Sequence, residues 1–117
     1  MAPMVRVARV YAVLDPDDGR RVLVDRLWPR GFRKDDPRVG HWLPAVAPSN
    51  DLRRWYSHQS ARFAEFAARY EAELTLPEGK AALDELRELA AAGTVTLVTA
   101  TRDLAESHAA VLRGLLA

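Results

Sequence analysis

The sequence predicts an α/β fold: one small layered domain over residues 1–117, with a mostly parallel sheet of three to four strands packed by four helices in a Rossmann-like topology. Three observations carry this expectation. Two short apolar runs, Arg21–Asp25 and Thr94–Thr99, read as strands, the first buried on both faces. Between them lie segments whose apolar residues recur at helical spacing, and one more such segment follows the second run. Helix-to-strand-to-helix order favours a layered fold with at least one parallel crossover.

The elements follow in chain order. Met4–Val10 alternates in part, with Val5 and Val7 flanking Arg6, and reads as the first strand. A fourth, short strand has room at Tyr11–Leu14, before the turn composition Asp15-Pro16-Asp17-Asp18-Gly19. Trp28-Pro29-Arg30-Gly31 stops the strand at 21–25, because proline lacks the N–H that a ladder needs. Pro37, Gly40, Pro44 and Pro48 make residues 32–48 a loop with at most one short turn of helix. Ser49 can cap a helix whose apolar face is Leu52, Trp55 and Tyr56, and Ser60 can cap a second with Phe63, Phe66, Tyr70 and Leu74 on one side. Thr75-Leu76-Pro77-Glu78 has the pattern of a capping box for a third, with a stripe of Leu83, Leu86, Leu89 and Ala90 and a stop at Gly93. Asp103 and Glu106 can box the last, whose stripe is Leu104, His108, Val111, Leu112 and Leu115.

Composition narrows the chemistry. There is no cysteine, so there is no thiolate nucleophile, disulfide framework or cysteine-ligated metal. The six glycines never come closer than nine residues, which leaves neither a dinucleotide fingerprint nor a P-loop. No G-x-S-x-G elbow occurs, and His41, His58 and His108 lie too far apart in sequence for H-E-x-x-H, so no metal ligands are assigned and no cofactor is indicated. No apolar run is long enough to span a bilayer and no signal-peptide core opens the chain, so a cytoplasmic protein without membrane contact is expected. The net charge is +1, yet residues 1–34 hold eight positive and four negative side chains, a surplus hidden by the acidic remainder.

In open α/β sheets ligands sit beyond the carboxyl ends of the strands. Two segments qualify: Asp25-Arg26-Leu27-Trp28-Pro29-Arg30-Gly31 and Thr99-Ala100-Thr101-Arg102-Asp103. If their strands are parallel neighbours, one rim gathers two acids, three arginines and a helix N-terminus that attracts anions. Arg26, Trp28, Arg30, Arg102 and Asp103 are then the candidate ligand-binding residues. Asp25 and His108 are the candidate acid/base pair if chemistry occurs. Each has a plainer reading beside it: Asp25 paired with Arg26, Trp28 as a lid over the core, His108 as a buried, hydrogen-bonded histidine.

The string Arg21-Val-Leu-Val-Asp-Arg-Leu-Trp-Pro-Arg-Gly31, with Ala47-Pro-Ser49, Leu52-Arg-Arg-Trp55, Phe66, Arg69-Tyr70 and Glu73-Leu74, resembles the YeaO-like family within domain-of-unknown-function family 488. The resemblance runs over nearly the whole chain. It implies a cytoplasmic bacterial α/β domain with a polar site on the strand rim and supplies no activity. Longer relatives carry an Asp/Arg/Pro segment after an early strand, matched by Asp25, Arg26 and Pro29, and a Cys-His-Arg run on the last helix, of which His108 alone is kept.

Two functions fit these residues. The first is binding of, or action on, a small phosphorylated or nucleotide-like anion at the rim. The second is a non-catalytic nucleic-acid or protein-binding module that uses the basic N-terminal third, with Trp28, Trp42 or Trp55 as contacts, a homodimer included.

Overall fold

The computed structural model describes residues 4–116; Met1, Ala2, Pro3 and Ala117, the ends of the span expected as one domain, lie outside the described residues. Four strands form one all-parallel sheet in the order β1-β4-β2-β3: β1 Val5–Arg9, β2 Arg20–Leu23, β3 His41–Trp42 and β4 Val95–Thr99. The last strand slots between the first two. Val7 and Val22 both register with Leu97 of β4. This central position explains why every residue of β4 is buried while β1, on the edge, is half-buried throughout.

Four helices follow from the apolar spacings: α1 Asn50–Tyr56, α2 Phe63–Glu73, α3 Pro77–Ala92 and α4 His108–Leu116. All four pack on one face of the sheet, where Val22, Val24, Val95 and Leu97 meet Leu52, Phe66, Tyr70, Leu83, Leu86 and Leu112. An aromatic ladder binds α1 to α2. Tyr56 stacks on Phe66 at 4.2 Å between centroids, and Phe66 stacks on Tyr70 at 5.9 Å. Such pairs are worth about 0.5–1.5 kcal/mol each beyond the area they bury. On the other face, Leu23 and Val98 are covered by the loop residues Val39, Trp28 and Phe32.

Several local expectations change. The fourth strand is His41–Trp42, within the segment read as loop, and Tyr11–Leu14 forms no strand. The chain reaches β3 through Gly40, whose φ of +71° and backbone approach to Arg21 (a Cβ would lie 2.2 Å from its carbonyl oxygen) suit glycine alone. Thr75 closes no capping box; its hydroxyl donates back to the Ala72 carbonyl, and Leu76 precedes α3 with no side-chain cap. A capping box does form, between Asp15 and Asp18 on the short 3-10 turn Pro16–Asp18. Ser60 opens a 3-10 turn ahead of α2 and gives its hydroxyl to Glu106. Asp103 caps only the 3-10 turn Leu104–Glu106, so α4 begins at His108, later than the boxed start expected. The cap of Ser49 on α1 is as expected, its hydroxyl accepting from Leu52 N–H.

Candidate functional site

β2 and β4 are parallel neighbours, so their carboxyl ends share a rim, and the two segments singled out in the sequence meet there. Asp25 stands just beyond β2. Its Oδ1 accepts from the Thr99 hydroxyl at 2.7 Å and its Oδ2 from Ala100 N–H at 2.8 Å, which tie it to the end of β4. His108, the first residue of α4, brings Nε2 to 3.0 Å from Asp25 Oδ1 and 3.0 Å from the Val24 carbonyl. Both neighbours are acceptors, so Nε2 must carry the proton. The ring stands nearly perpendicular to that of Tyr70, centroids 6.2 Å apart. Burial pushes the Asp25 carboxyl up. The hydrogen bond from His108 and the donors Ala100 and Thr99 outweigh it and hold the carboxyl below the usual range. Burial, with the nearby charges of Glu73 and Asp25 and against that of Arg26, carries the Tyr70 phenol well above its ordinary value, so it stays neutral and donates to the Val46 carbonyl.

Arg26 turns away from Asp25. It donates to the carbonyls of Ala47 at 3.0 Å and Pro48 at 3.3 Å, fastening the loop before α1. Glu73 completes that anchor by accepting from the N–H and hydroxyl of Ser49. Trp28 lies half-buried on the lower core, with its N–H on the Phe32 carbonyl and its ring edge-on to Trp42 at 5.6 Å. Trp42 in turn donates to the Asp25 main-chain carbonyl.

A cavity of about 710 Å³ opens at the rim, within the usual range for a small-molecule site. Its walls include Asp25, Arg26, Trp28, Arg30 and His108, as the sequence implied. Arg102 and Asp103 are exposed and do not line it, because the chain turns away in the 3-10 segment before α4 begins. Arg53, Arg54, Ser57 and His58, none of them among the candidate ligand-binding residues of the sequence, also line the cavity. The signal was the Arg53-Arg54 pair at the end of α1; the turn that brings it here was not readable. Ser57 and His58 have φ of +46° and +54°, a costly succession for side-chain-bearing residues. Glu106 holds this lip, its carbonyl accepting from Tyr56 and its carboxylate from Ser60. Among the described residues no group of three or more His, Asp or Glu side chains is placed to hold a metal ion, and no helix is long and apolar enough to cross a membrane.

The likeness to known proteins runs along nearly the whole chain. The family model described as the inactive DUF488-N3 subclade matches residues 4–117. An uncharacterized protein of Mycobacterium tuberculosis (strain ATCC 25618 / H37Rv) is 63% identical over 112 residues, 96% of this chain and 92% of its own. The uncharacterized protein YeaO of Escherichia coli (strain K12) is 36% identical over 110 residues, 92% of each chain. No solved structure matches the chain. On the strength of a match that spans residues 4–117, the chain belongs to the YeaO-like DUF488 family.

Proposed function

We propose that the rim cavity binds a small phosphorylated or nucleotide-like anion and does not transform it. The observation that carries this reading is the charge of the wall. Four arginines, Arg26, Arg30, Arg53 and Arg54, face only two carboxylates, Asp25 and Glu106. Asp25 already accepts from Thr99, Ala100 and His108, and one oxygen of Glu106 accepts from Ser60. Arg26 is committed to backbone carbonyls, which leaves the exposed Arg30, Arg53 and Arg54 to meet a ligand. The last two hold only Asn50 and Asp51 at the surface, pairings that an anion can replace at little cost. A guanidinium fork matches phosphate oxygens in pairs.

Two points favour binding over turnover. Asp25 already accepts three hydrogen bonds from within the fold, and the matching family model is described as inactive. The nucleic-acid alternative draws on the basic N-terminal block, part of which is consumed internally. Arg6 and Arg21 pair with Asp18, and Arg26 holds carbonyls.

Thermal unfolding with AMP, ATP, ribose 5-phosphate and pyrophosphate tests the reading. A ligand present at 100 times its Kd stabilises the fold by about 2.7 kcal/mol. Stabilisation by at least one of these probes, reduced in Arg30→Ala and Arg53→Ala, is expected. No stabilisation by any of the four, or stabilisation untouched by both substitutions, overturns it.

A further inference from the structure

We infer that His108 reads the neutral part of the ligand: its Nδ1 accepts a hydrogen bond, so the preferred ligand is a phosphate ester that also carries a hydroxyl or N–H donor near the phosphate, not a bare oxyanion. This inference rests on the anion reading of the cavity.

Three observations lead to it. Nε2 is turned inward, with Val24 O at 3.0 Å and Asp25 Oδ1 at 3.0 Å, and two acceptors fix the proton on that nitrogen. In a neutral imidazole the other nitrogen is then a lone pair. Among the described residues no hydrogen bond engages Nδ1, while the ring belongs to the cavity wall. The surrounding groups hold the ring in this attitude. Thr99 and Ala100 fasten Asp25, and Tyr70 stands nearly perpendicular to the ring. The other polar groups of the wall complement such a ligand. The arginines can only donate, so they suit the phosphate and cannot satisfy a hydroxyl proton. Asp25, the neighbouring acceptor, already accepts from Thr99, Ala100 and His108. His108 is thus a specificity-determining residue positioned by Asp25.

The test has two arms. Nitrogen-15 NMR of the imidazoles in the free protein, with the rings neutral and His108 assigned by comparison with His108→Gln, reports which nitrogen is protonated. A protonated Nε2 and a bare Nδ1 are expected; a protonated Nδ1 overturns the inference whatever the cavity binds. The second arm titrates glycerol 3-phosphate against propyl phosphate, which share the phosphate ester and differ in hydroxyls. One hydrogen bond of ordinary strength gives a preference of roughly three- to tenfold for glycerol 3-phosphate. Glutamine at 108 can place its amide N–H where Nε2 stood and leaves nothing at the Nδ1 position, so His108→Gln should keep propyl phosphate binding and lose the preference. Equal binding of the two esters, or a preference that survives in His108→Gln, overturns the role of His108 and leaves the anion reading standing. Binding of neither ester overturns the inference, and the anion reading falls with it only if AMP, ATP, ribose 5-phosphate and pyrophosphate fail to bind as well.

Discussion

The two ends of the β2–β4 seam use the same ingredients to opposite effect. At the amino end, Asp18 accepts from Asp15 N–H at 3.1 Å and from Arg21 at 2.9 Å, and Arg6 approaches to 3.3 Å. Arg21 is itself used up, on the Arg38 carbonyl at 2.7 Å and the Ala12 carbonyl at 3.5 Å. At the carboxyl end, Asp25 is held as firmly, but its basic partner is an imidazole with one nitrogen still unused. Each end has a cavity beside it, about 310 Å³ at the amino end and 710 Å³ at the carboxyl end. The buried acid is therefore not what marks the site. A buried acid whose partner cation is exhausted is a lock; one whose partner keeps a free face toward a cavity can address a ligand.

The comparison breaks first on stability. Asp18 is 5% exposed, and removing its carboxylate strands Arg21 in the interior. Losing one partner of a buried pair costs about 3–5 kcal/mol. Asp18→Ala should lose that much in urea unfolding and leave phosphate binding by the folded fraction unchanged. A loss no larger than that of Asp25→Ala would mean that the amino-end cluster is not the lock.

Asp25→Ala should cost less, about 2 kcal/mol. It leaves the Thr99 hydroxyl and Ala100 N–H without an acceptor, and each unsatisfied group costs about 1–3 kcal/mol before water enters from the cavity. Here the preference for glycerol 3-phosphate over propyl phosphate should fall as well, because His108 loses the carboxylate that orients it. An unchanged preference would reduce Asp25 to a structural residue like Asp18.

The same contrast explains what was legible in the sequence. The rim was readable because a strand's end is a topological fact. Once Arg21–Asp25 and Thr94–Thr99 read as strands, Asp25 and Thr99 had to be close if those strands paired. His108 was readable from its place on the stripe of the last helix. The lock was not. Asp15 and Asp18 read as turn formers, and only the folded register shows that Arg6 and Arg21, from two different strands, converge on Asp18. The two-residue β3 carries no pattern at all; its position depends on the backbone of Gly40 approaching Arg21. Arg102 and Asp103 were misplaced for a related reason. A 3-10 turn and an α-helix start share capping residues, so Asp103 signalled a helix that begins later.

Acid titration sharpens the comparison next. Burial raises both carboxyls, but the Asp15 N–H, Arg21 and Arg6 hold Asp18, and His108, Ala100 and Thr99 hold Asp25, below the ordinary value of 3.8. A carboxyl depressed by folding contributes stability that is complete above its unfolded value and is lost as pH falls through its folded value. Urea unfolding at pH 7 and pH 3 should therefore show a loss on acidification. Asp25→Asn should make that loss smaller, by removing one of the two titrating groups. A loss identical in Asp25→Asn would assign the acid sensitivity to the lock alone.

The smallest effect on stability separates the site from its surroundings. Arg30 and Arg102 are both exposed arginines that follow the end of a central strand, one after β2 and one after β4. Only Arg30 lines the cavity. Replacing either with alanine removes no buried contact, so each should change unfolding free energy by less than about 0.5 kcal/mol. Their effects on pyrophosphate binding should differ. A charge-assisted hydrogen bond contributes about 1.5–3 kcal/mol, so Arg30→Ala should weaken binding by at least about tenfold. Arg102→Ala should leave it unchanged at moderate salt, where screening removes the pull of a charge outside the cavity. Equal losses from the two substitutions would show that the anion responds to the general field of the rim, and the arginine wall would then have no claim to being a built site.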